Sequence, residues 1–212
     1  GLIISNTDLG YYGNTEPKAP ASTIHGSIES INGQYYVFYH RSTNNTDYSR
    51  QACAEPIEIE DDGSIRQVEI TSCGLNGGPL QGVGTYPAAI CCNLTCPEKI
   101  TLGIGKGQSL PRVNERNNEV FVCDMISGTE VGYKYFDFHN LSEIEITVRG
   151  SGSGIIEVRT SPDGVICGSF AVSPSSEWKS YTSQVTIPDG QKALYFRFVG
   201  NEKLDFIRFA LV

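Results

Sequence analysis

Three closely spaced cysteines are the first residues whose types could carry chemistry. Cys91, Cys92 and Cys96 lie near one another in the chain, among seven cysteines in all. A tetrahedral zinc site usually takes two spaced pairs of Cys or His ligands, whereas the three histidines lie far away, at positions 25, 40 and 139. An odd number of cysteines also cannot all pair internally. The pattern therefore favours reduced, mostly buried thiols, with a zinc site as the weaker alternative.

A glycine-rich stretch at residues 103–107 is the second candidate, because glycine-rich loops can cradle phosphates. A phosphate loop needs four residues between its first glycine and a Gly-Lys pair, then Ser or Thr and a helix. Here Gln108 follows, and no helical periodicity is evident. The chain also has no Gly-x-Ser-x-Gly motif and no local Cys/His pair that would mark a nucleophile. The sequence therefore argues against nucleotide binding and against a serine or cysteine nucleophile.

His25 is the third candidate, because it directly precedes a strong hairpin signal. Residues 27–31 and 34–40 have strand character and flank Asn32 and Gly33. An Asn-Gly pair readily takes the positive φ angles of a two-residue type I′ turn. Taken alone, a histidine in this position is more often structural than a ligand, so the hairpin places His25 without assigning its role.

Strand signals continue along most of the chain. A second pair is predicted at 56–60 and 64–70, around an Asp-Asp-Gly turn. After residue 96 we predict eight short strands, at 119–123, 130–138, 143–149, 155–160, 165–172, 178–187, 193–199 and 204–212. Evenly spaced strands with glycine-containing turns favour a β-sandwich. We therefore predict an all-β chain in two parts, 1–95 and 96–212, of which the second is a sandwich.

Composition and charge exclude several classes of function. Of 212 residues, 39% are hydrophobic and 19% are charged, which excludes a disordered tail or a coiled coil. The net charge is −8 and no basic cluster exceeds a pair, so we expect no nucleic-acid partner. No apolar run reaches the roughly 18–20 residues of a membrane helix, so we expect no membrane partner. Because the chain begins with Gly1 rather than Met, we expect a fragment that lacks its natural N-terminus.

A series of motifs in the first part carries a family resemblance. The motifs are Thr-Ile-His-Gly-Ser at 23–27, Asn-Gly-Gln-Tyr-Tyr-Val-Phe-Tyr-His-Arg at 32–41, Tyr-Ser-Arg-Gln-Ala-Cys at 48–53 and Thr-Ser-Cys-Gly-Leu-Asn-Gly-Gly-Pro-Leu at 71–80. In this order they closely resemble the last blade of glycoside hydrolase family 43. Residues 1–10 look like the loop and strand that enter that blade. The resemblance covers residues 1–95.

The second part resembles a carbohydrate-binding module of family 6. The matching pieces are Gly-Tyr-Lys-Tyr-Phe-Asp-Phe at 132–138, Ser-Glu-Trp at 176–178, Ala-Leu-Tyr-Phe at 193–196 and Leu-Asp-Phe-Ile-Arg-Phe at 204–209. Each piece is a moderate match, and their order supports the resemblance. Together the two resemblances imply the last blade of a five-bladed β-propeller followed by a jelly-roll-like β-sandwich.

The first resemblance implies inverting cleavage of arabinose- or xylose-containing glycans. Inversion needs a general acid and a general base about 6.5–9.5 Å apart, so that a water molecule fits between base and sugar. In the family, the acid, the base and an Asp that tunes the acid lie on earlier blades. None of Asp8, Glu16 or Glu29 sits in a matching motif. We therefore expect no catalytic residue in this segment, and the missing N-terminal blades become its expected partner.

The same resemblance implies two substrate-binding residues. His25 matches a histidine near the propeller axis, beside a bound calcium ion or the active centre, which makes it a candidate calcium-site residue as well. Arg50 matches an arginine that points into the pocket in several subfamilies. Its donors can hold sugar hydroxyls and favour the ionised form of a carboxylate.

The second resemblance implies a weakened sugar site. Sugar-binding members sandwich a ring between two aromatic side chains and add an Asn just before the Asp of the last strand. Trp178 is a candidate for one aromatic platform, although it could equally be a core residue. Asp124 stands at the other platform and Lys203 at the Asn position. Asp205 is a candidate calcium ligand, so calcium is the one cofactor that the sequence suggests.

From these inferences we predict the C-terminal portion of an arabinofuranosidase- or β-xylosidase-type glycoside hydrolase. Its expected partner is a plant cell-wall polysaccharide or oligosaccharide. The alternative is a non-catalytic carbohydrate-binding protein or module. The sequence leaves open arabinose versus xylose, the linkage, and a cytoplasmic or secreted location.

Overall fold

The computed structural model describes residues 1–5, 7–20, 23–46, 48–98 and 109–212, which form an all-β structure. The glycine-rich stretch at 103–107 lies outside these ranges. Three short 3-10 turns span Tyr11–Gly13, Gly74–Asn76 and Ala88–Ile90. The strands are β1 (Gly26–Ile31), β2 (Gln34–Arg41), β3 (Gln51–Ile57), β4 (Leu80–Gln81), β5 (Gly84–Pro87), β6 (Asn93–Thr95), β7 (Arg112–Arg116), β8 (Glu119–Met125), β9 (Glu130–Phe138), β10 (Glu143–Gly150), β11 (Ser153–Arg159), β12 (Gly168–Val172), β13 (Ser175–Gln184), β14 (Gly190–Asn201) and β15 (Leu204–Leu211). The predicted all-β class is confirmed.

The first part contains an antiparallel sheet of three strands in the order β1-β2-β3. Asn32 and Gly33 join β1 to β2 with φ angles of 52° and 86°, as a type I′ turn requires. The predicted second pair forms only an isolated bridge between Ile59 and Ile65. The returning segment bonds elsewhere, since the Val68 N–H donates to the Ile3 carbonyl. The hairpin prediction is thus confirmed, and the second pair was wrong beyond its turn.

Two six-stranded sheets, formed by the second part together with β4, β5 and β6, pack face to face. One has the order β13-β10-β15-β8-β7 with β5 also paired to β15, and the other has the order β12-β11-β14-β9-β4 with β6 also paired to β9. Their shared core is rich in fully buried aromatic rings, among them Tyr133, Phe136, Phe196, Phe206 and Phe209. All eight predicted strands are present, with bounds shifted by a few residues. Strand β7 was not predicted, because its sequence is dominated by polar side chains.

Strands β4, β5 and β6 tie the end of the first part to the sandwich. β5 pairs with β15, while β4 and β6 both pair with β9. Tyr86 on β5 packs against Phe136 and Phe209, with ring centroids 5.0 and 5.7 Å apart. The division at residue 95/96 stays a prediction, and the chain just before it already belongs to the hydrogen-bonded sheets of the sandwich. Among the described residues, no helix has the length and apolar character needed to cross a bilayer.

Candidate functional site

The register of the three-stranded sheet brings His25 and Arg50 to the same end. Gly26 pairs with Tyr39, and Gln51 pairs with Arg41, so His25 precedes β1 and Arg50 precedes β3 on either side of the end of β2. Both side chains belong to exposed residues. The backbone pairing therefore places the two predicted substrate-binding residues at the same end of the three-stranded sheet.

The imidazole of His25 packs against a second histidine. Its ring centroid lies 4.5 Å from that of His40, with an interplanar angle of 73°. Gly26 makes this close approach of β1 and β2 possible, because a Cβ at that position would lie 1.7 Å from the Phe38 carbonyl oxygen. A cavity of about 480 Å³ beside His25 is lined mainly by aliphatic side chains, including Ile3 and Ile28. His25 thus lies at the rim of this apolar cavity.

Arg50 is positioned by its own loop. Its guanidinium donates to the carbonyls of Thr46 and Ser49, at 3.3 and 3.5 Å. By contrast, Arg41 is buried and donates to the carbonyls of Cys91 and Cys92, at 3.1 and 3.0 Å. Arg41 therefore anchors β2 to the chain that enters β6.

Glu55, on β3, is a buried carboxylate within the three-stranded sheet. Burial raises the pKa of Glu55 to about 7, against the lowering effect of hydrogen bonds from Thr71 and Tyr39. Tyr39 donates its hydroxyl at 3.0 Å, and Thr71 donates its N–H and its hydroxyl at 2.8 and 2.6 Å. A pKa near neutrality suits a general acid, but this carboxylate is 1% exposed and already holds three donors. Its place in the fold is structural.

A second buried group joins the two parts of the chain. The ammonium of Lys134 on β9 lies 3.0 Å from an Asp8 carboxylate oxygen and 2.8 Å from a Glu69 carboxylate oxygen. The hydroxyl of Tyr135 donates to the other Glu69 oxygen at 2.9 Å, and the N–H of Ile70 donates to Asp8 at 2.6 Å. These contacts account for the acidic Asp8 that no family motif matched.

Trp178 on β13 is half-buried and held on several sides. The guanidinium carbon of Arg149 lies 4.1 Å from the Trp178 ring centroid and 4.9 Å from that of Phe121. The indole N–H donates to both carboxylate oxygens of Glu119, at 3.0 Å each. A cationic group over an aromatic ring makes an attractive cation–π contact with it. Arg149 therefore occupies one face of the indole, and Glu119 holds its N–H edge.

Asp124 and Lys203, the two departures from the module pattern, bond to each other. The Lys203 ammonium lies 3.2 Å from an Asp124 carboxylate oxygen, and Arg112 bonds to the other oxygen. Burial alone would raise the pKa of Asp124, but hydrogen bonds from Arg112 and Lys203 hold it below its ordinary value. An ion pair thus occupies the position where the family resemblance places an aromatic ring and an amide.

The surroundings of Asp205 do not fit a cation. One oxygen accepts the Asp124 N–H and the other accepts the Arg149 guanidinium, each at 3.2 Å. Within the described ranges, no three His, Cys, Asp or Glu side chains converge as metal ligands would. A guanidinium at the carboxylate repels a divalent ion. The calcium assignments of His25 and Asp205 stay untested predictions.

The seven cysteines are free thiols, as the sequence favoured, but only three of them are buried, whereas most were expected to be. Cys91, Cys92 and Cys123 are buried, and burial raises their pKa values to about 12, 11 and 12. Metal binding and nucleophilic attack both need the thiolate. These three cysteines therefore belong to the packing of the protein.

Two sets of residues escaped the sequence reasoning. Arg149 and Glu119 engage Trp178 from other strands, and Lys134 meets Asp8 and Glu69 across more than sixty positions of chain. No local motif signals either set. A sheet register and a fold are needed before such residues can be seen as neighbours.

Comparisons with known proteins agree with the motifs. No protein-family model matches the chain. A xylosidase/arabinosidase from Thermoclostridium stercorarium is 39% identical over 223 residues, which cover 100% of this chain and 47% of that protein. The chain thus spans about half the length of the curated relative it matches.

Solved structures show the same fold. A glycoside hydrolase family 43 arabinoxylan arabinofuranohydrolase from Bacillus subtilis is 18% identical with a TM-score of 0.58, over 99% of this chain and 43% of that one. The family 6 module CsCBM6-3 from Clostridium stercorarium is 16% identical with a TM-score of 0.52, over 64% of this chain and 97% of that one. The resemblance is confirmed as one of sequence and fold: the chain is similar throughout to part of a xylosidase/arabinosidase, and it shares its fold with a glycoside hydrolase family 43 enzyme and, in its second part, with family 6 carbohydrate-binding modules.

Proposed function

We propose that the chain is the C-terminal portion of a glycoside hydrolase that cleaves arabinose- or xylose-containing glycans with inversion. The observation that carries the proposal is the 39% identity to a xylosidase/arabinosidase along the whole chain. The fold shared with an arabinoxylan arabinofuranohydrolase supports it. Plant cell-wall polysaccharides or their oligosaccharides are the proposed substrates.

The catalytic carboxylates are proposed to lie outside this segment, on the N-terminal blades. An inverting enzyme needs two carboxyl groups that face a sugar from opposite sides. The buried carboxylates near the blade have other partners: Glu55 is held by Tyr39 and Thr71, and Asp8 is held by Lys134. These contacts support a division of roles: this segment shapes the rim of the sugar-binding pocket, and the N-terminal blades supply the general acid and the general base.

His25 and Arg50 are the proposed rim residues. An imidazole can hold a sugar hydroxyl or orient a carboxylate, and the fork of a guanidinium can bind vicinal hydroxyls through parallel N–H donors. Their place at one end of the sheet lets both reach the same side of a bound sugar. In this proposal they position the substrate and transfer no proton.

The test is a set of variants of the longer polypeptide, assayed on aryl arabinofuranosides and xylosides. His25→Ala and Arg50→Ala are expected to lower turnover on the better substrate at least tenfold, with unchanged circular dichroism. His139→Ala and Arg66→Ala are matched controls, because both side chains are exposed and make single ion pairs elsewhere. Rates equal to wild type in both rim variants would remove these residues from the site.

A second assay addresses where the carboxylates lie. The 212-residue chain alone is expected to show no hydrolysis, since general acid–base assistance is worth about 10²–10⁴ in rate for each group. Activity restored only by a separately expressed N-terminal fragment supports the divided propeller. Activity of the chain by itself places the catalytic pair within it and overturns this part of the proposal.

A non-catalytic carbohydrate-binding protein is the second candidate function. The observation that favours it is the sandwich, whose fold is shared with modules solved in complex with cellobiose and with xylose. Absence of hydrolysis by the longer polypeptide, together with measurable oligosaccharide binding, would select this alternative.

A further inference from the structure

His25 and His40 stand opposite each other at the end of the three-stranded sheet. In the antiparallel register of β1 and β2, Gly26 pairs with Tyr39, so one further step places His25 across from His40. Side chains directly opposed on one face of a sheet lie within contact distance. The two ring centroids are 4.5 Å apart and the rings are inclined by 73°, an edge-to-face arrangement that is attractive between aromatic rings. The register therefore gives the imidazole of His25 a defined neighbour.

The two histidines are held with different firmness. His40 lies within β2, the central strand of the sheet, and its backbone partner on β3 is Ala52. His25 is exposed and precedes β1, which is an edge strand of this sheet. A side chain in such a place keeps its rotational freedom unless a neighbour limits it. The ring of His40 is thus the fixed member of the pair, and it limits the orientation of His25.

His40 contributes to the blade through its ring. Its Nε2 is buried and has no hydrogen-bond partner among the described residues. A buried polar atom without a partner is destabilising, so this nitrogen does not stabilise the sheet. Within the part of the chain that the structure describes, the one aromatic ring in contact with His40 is that of His25. The contact between the two imidazoles is therefore the specific interaction that this side chain supplies.

We propose that His40 is a positioning residue, which holds the imidazole of His25 in the orientation that contacts the sugar. This inference rests on the proposed function, in which His25 is a rim residue. An imidazole that is already oriented loses less rotational freedom when the substrate binds. His40 itself touches no sugar and transfers no proton, and its ring acts only through the ring of His25.

The test separates ring from volume at position 40 in the longer polypeptide, assayed on aryl arabinofuranosides and xylosides. His40→Leu fills similar space without a ring, and it is expected to lower kcat/KM about three- to tenfold, the range for the loss of one aromatic contact. His40→Phe keeps the ring and is expected to stay within about twofold of wild type. Because His40→Phe also removes the unpartnered Nε2, its Tm should be equal to or above that of wild type.

A double-mutant cycle separates positioning from a general effect on the blade. If His40 acts through His25, His40→Leu has no further effect on kcat/KM in a His25→Ala background. Tyr36→Leu is the matched control, because it removes a ring from the same face of β2 at a position opposite Glu29, farther along the sheet from His25. It is expected to lower Tm and to leave kcat/KM unchanged.

Several outcomes would overturn the positioning role: wild-type kcat/KM in His40→Leu, an equal loss with and without the imidazole of His25, the same loss in Tyr36→Leu, or a loss in His40→Phe as large as that in His40→Leu. Absence of hydrolysis by the wild-type polypeptide refutes the proposed function instead. The positioning role is then measured as calorimetric affinity for arabino- and xylo-oligosaccharides, with the same order of variants expected. If no oligosaccharide binds either, both proposals fail.

Discussion

Replacing Lys134 by methionine tests how the two parts of the chain are held together. The substitution keeps most of the side-chain volume and removes the ammonium that lies 3.0 Å from Asp8 and 2.8 Å from Glu69. The side chains of Lys134, Asp8 and Glu69 are only 7%, 6% and 20% exposed, so water cannot fully replace the lost partner.

The structure sets the size of the effect. Removing one partner of a buried ion pair costs about 3–5 kcal/mol, because the remaining charge stays buried without compensation. Here two carboxylates lose their shared cation, so we expect the upper part of that range. For a chain of this length each kcal/mol lowers Tm by about 2–4 °C, which gives a decrease of roughly 10 °C or more.

The assay is urea denaturation combined with thermal melting at neutral pH. A double-mutant cycle with Asp8→Asn isolates the pair, and we expect a coupling energy of about 0.5–3 kcal/mol. Lys179→Met is the matched control, since this exposed lysine bonds only to Ser173 and lies over Tyr181. We expect it to change stability by less than about 0.5 kcal/mol.

The refuting result is equally definite. If Lys134→Met costs less than about 1 kcal/mol, or if its effect adds to that of Asp8→Asn without coupling, the buried triad does not join the two parts. Burial by itself would lower the pKa of Lys134, but Cys92, Asp8 and Glu69 raise it above its ordinary value. A raised lysine pKa contributes stability that is lost only at strongly alkaline pH, so the effect is expected to be constant between pH 6 and 9.

The remaining predictions concern pH, sugar binding and calcium. Burial raises the pKa of Glu55 from 4.5 to about 7. The protonated carboxyl group therefore contributes its full stabilisation below pH 4.5, and about 3 kcal/mol of it is lost as the pH rises to about 7. Glu55→Gln should flatten the fall of Tm with pH over this range, and an unchanged fall would contradict the raised pKa. Xylo-oligosaccharides should bind the Trp178 region weakly or not at all, because Arg149 occupies one face of the indole and the ion-paired Asp124 stands at the second platform position. Micromolar binding in calorimetry that Trp178→Ala abolishes would show that the ring still serves as a platform. If His25 borders a calcium ion in the longer polypeptide, a chelator should lower its turnover and added calcium should restore it; full activity after chelation would rule this out.

The sequence predicted the features that depend on near neighbours in the chain. The Asn32-Gly33 hairpin follows from the local φ preferences of two residues, and the sandwich strands follow from alternating apolar positions and turn residues. The ordered motifs identified the blade and the module, because family motifs are patterns along the chain. For the same reason His25 and Arg50 could be proposed before their common place at the sheet end was known.

Only the tertiary structure decided what those elements contact. Arg149 comes to lie over Trp178 because β10 pairs with β13, and Lys134 meets Asp8 because β9 lies against the first part of the chain. The predicted pair at 56–60 and 64–70 formed no sheet beyond one bridge, because Val68 bonds to Ile3 instead. Each of these contacts results from competition among possible partners that are distant in sequence. Local propensity cannot resolve that competition, since the free energy of a buried contact depends on which groups the whole fold excludes from water.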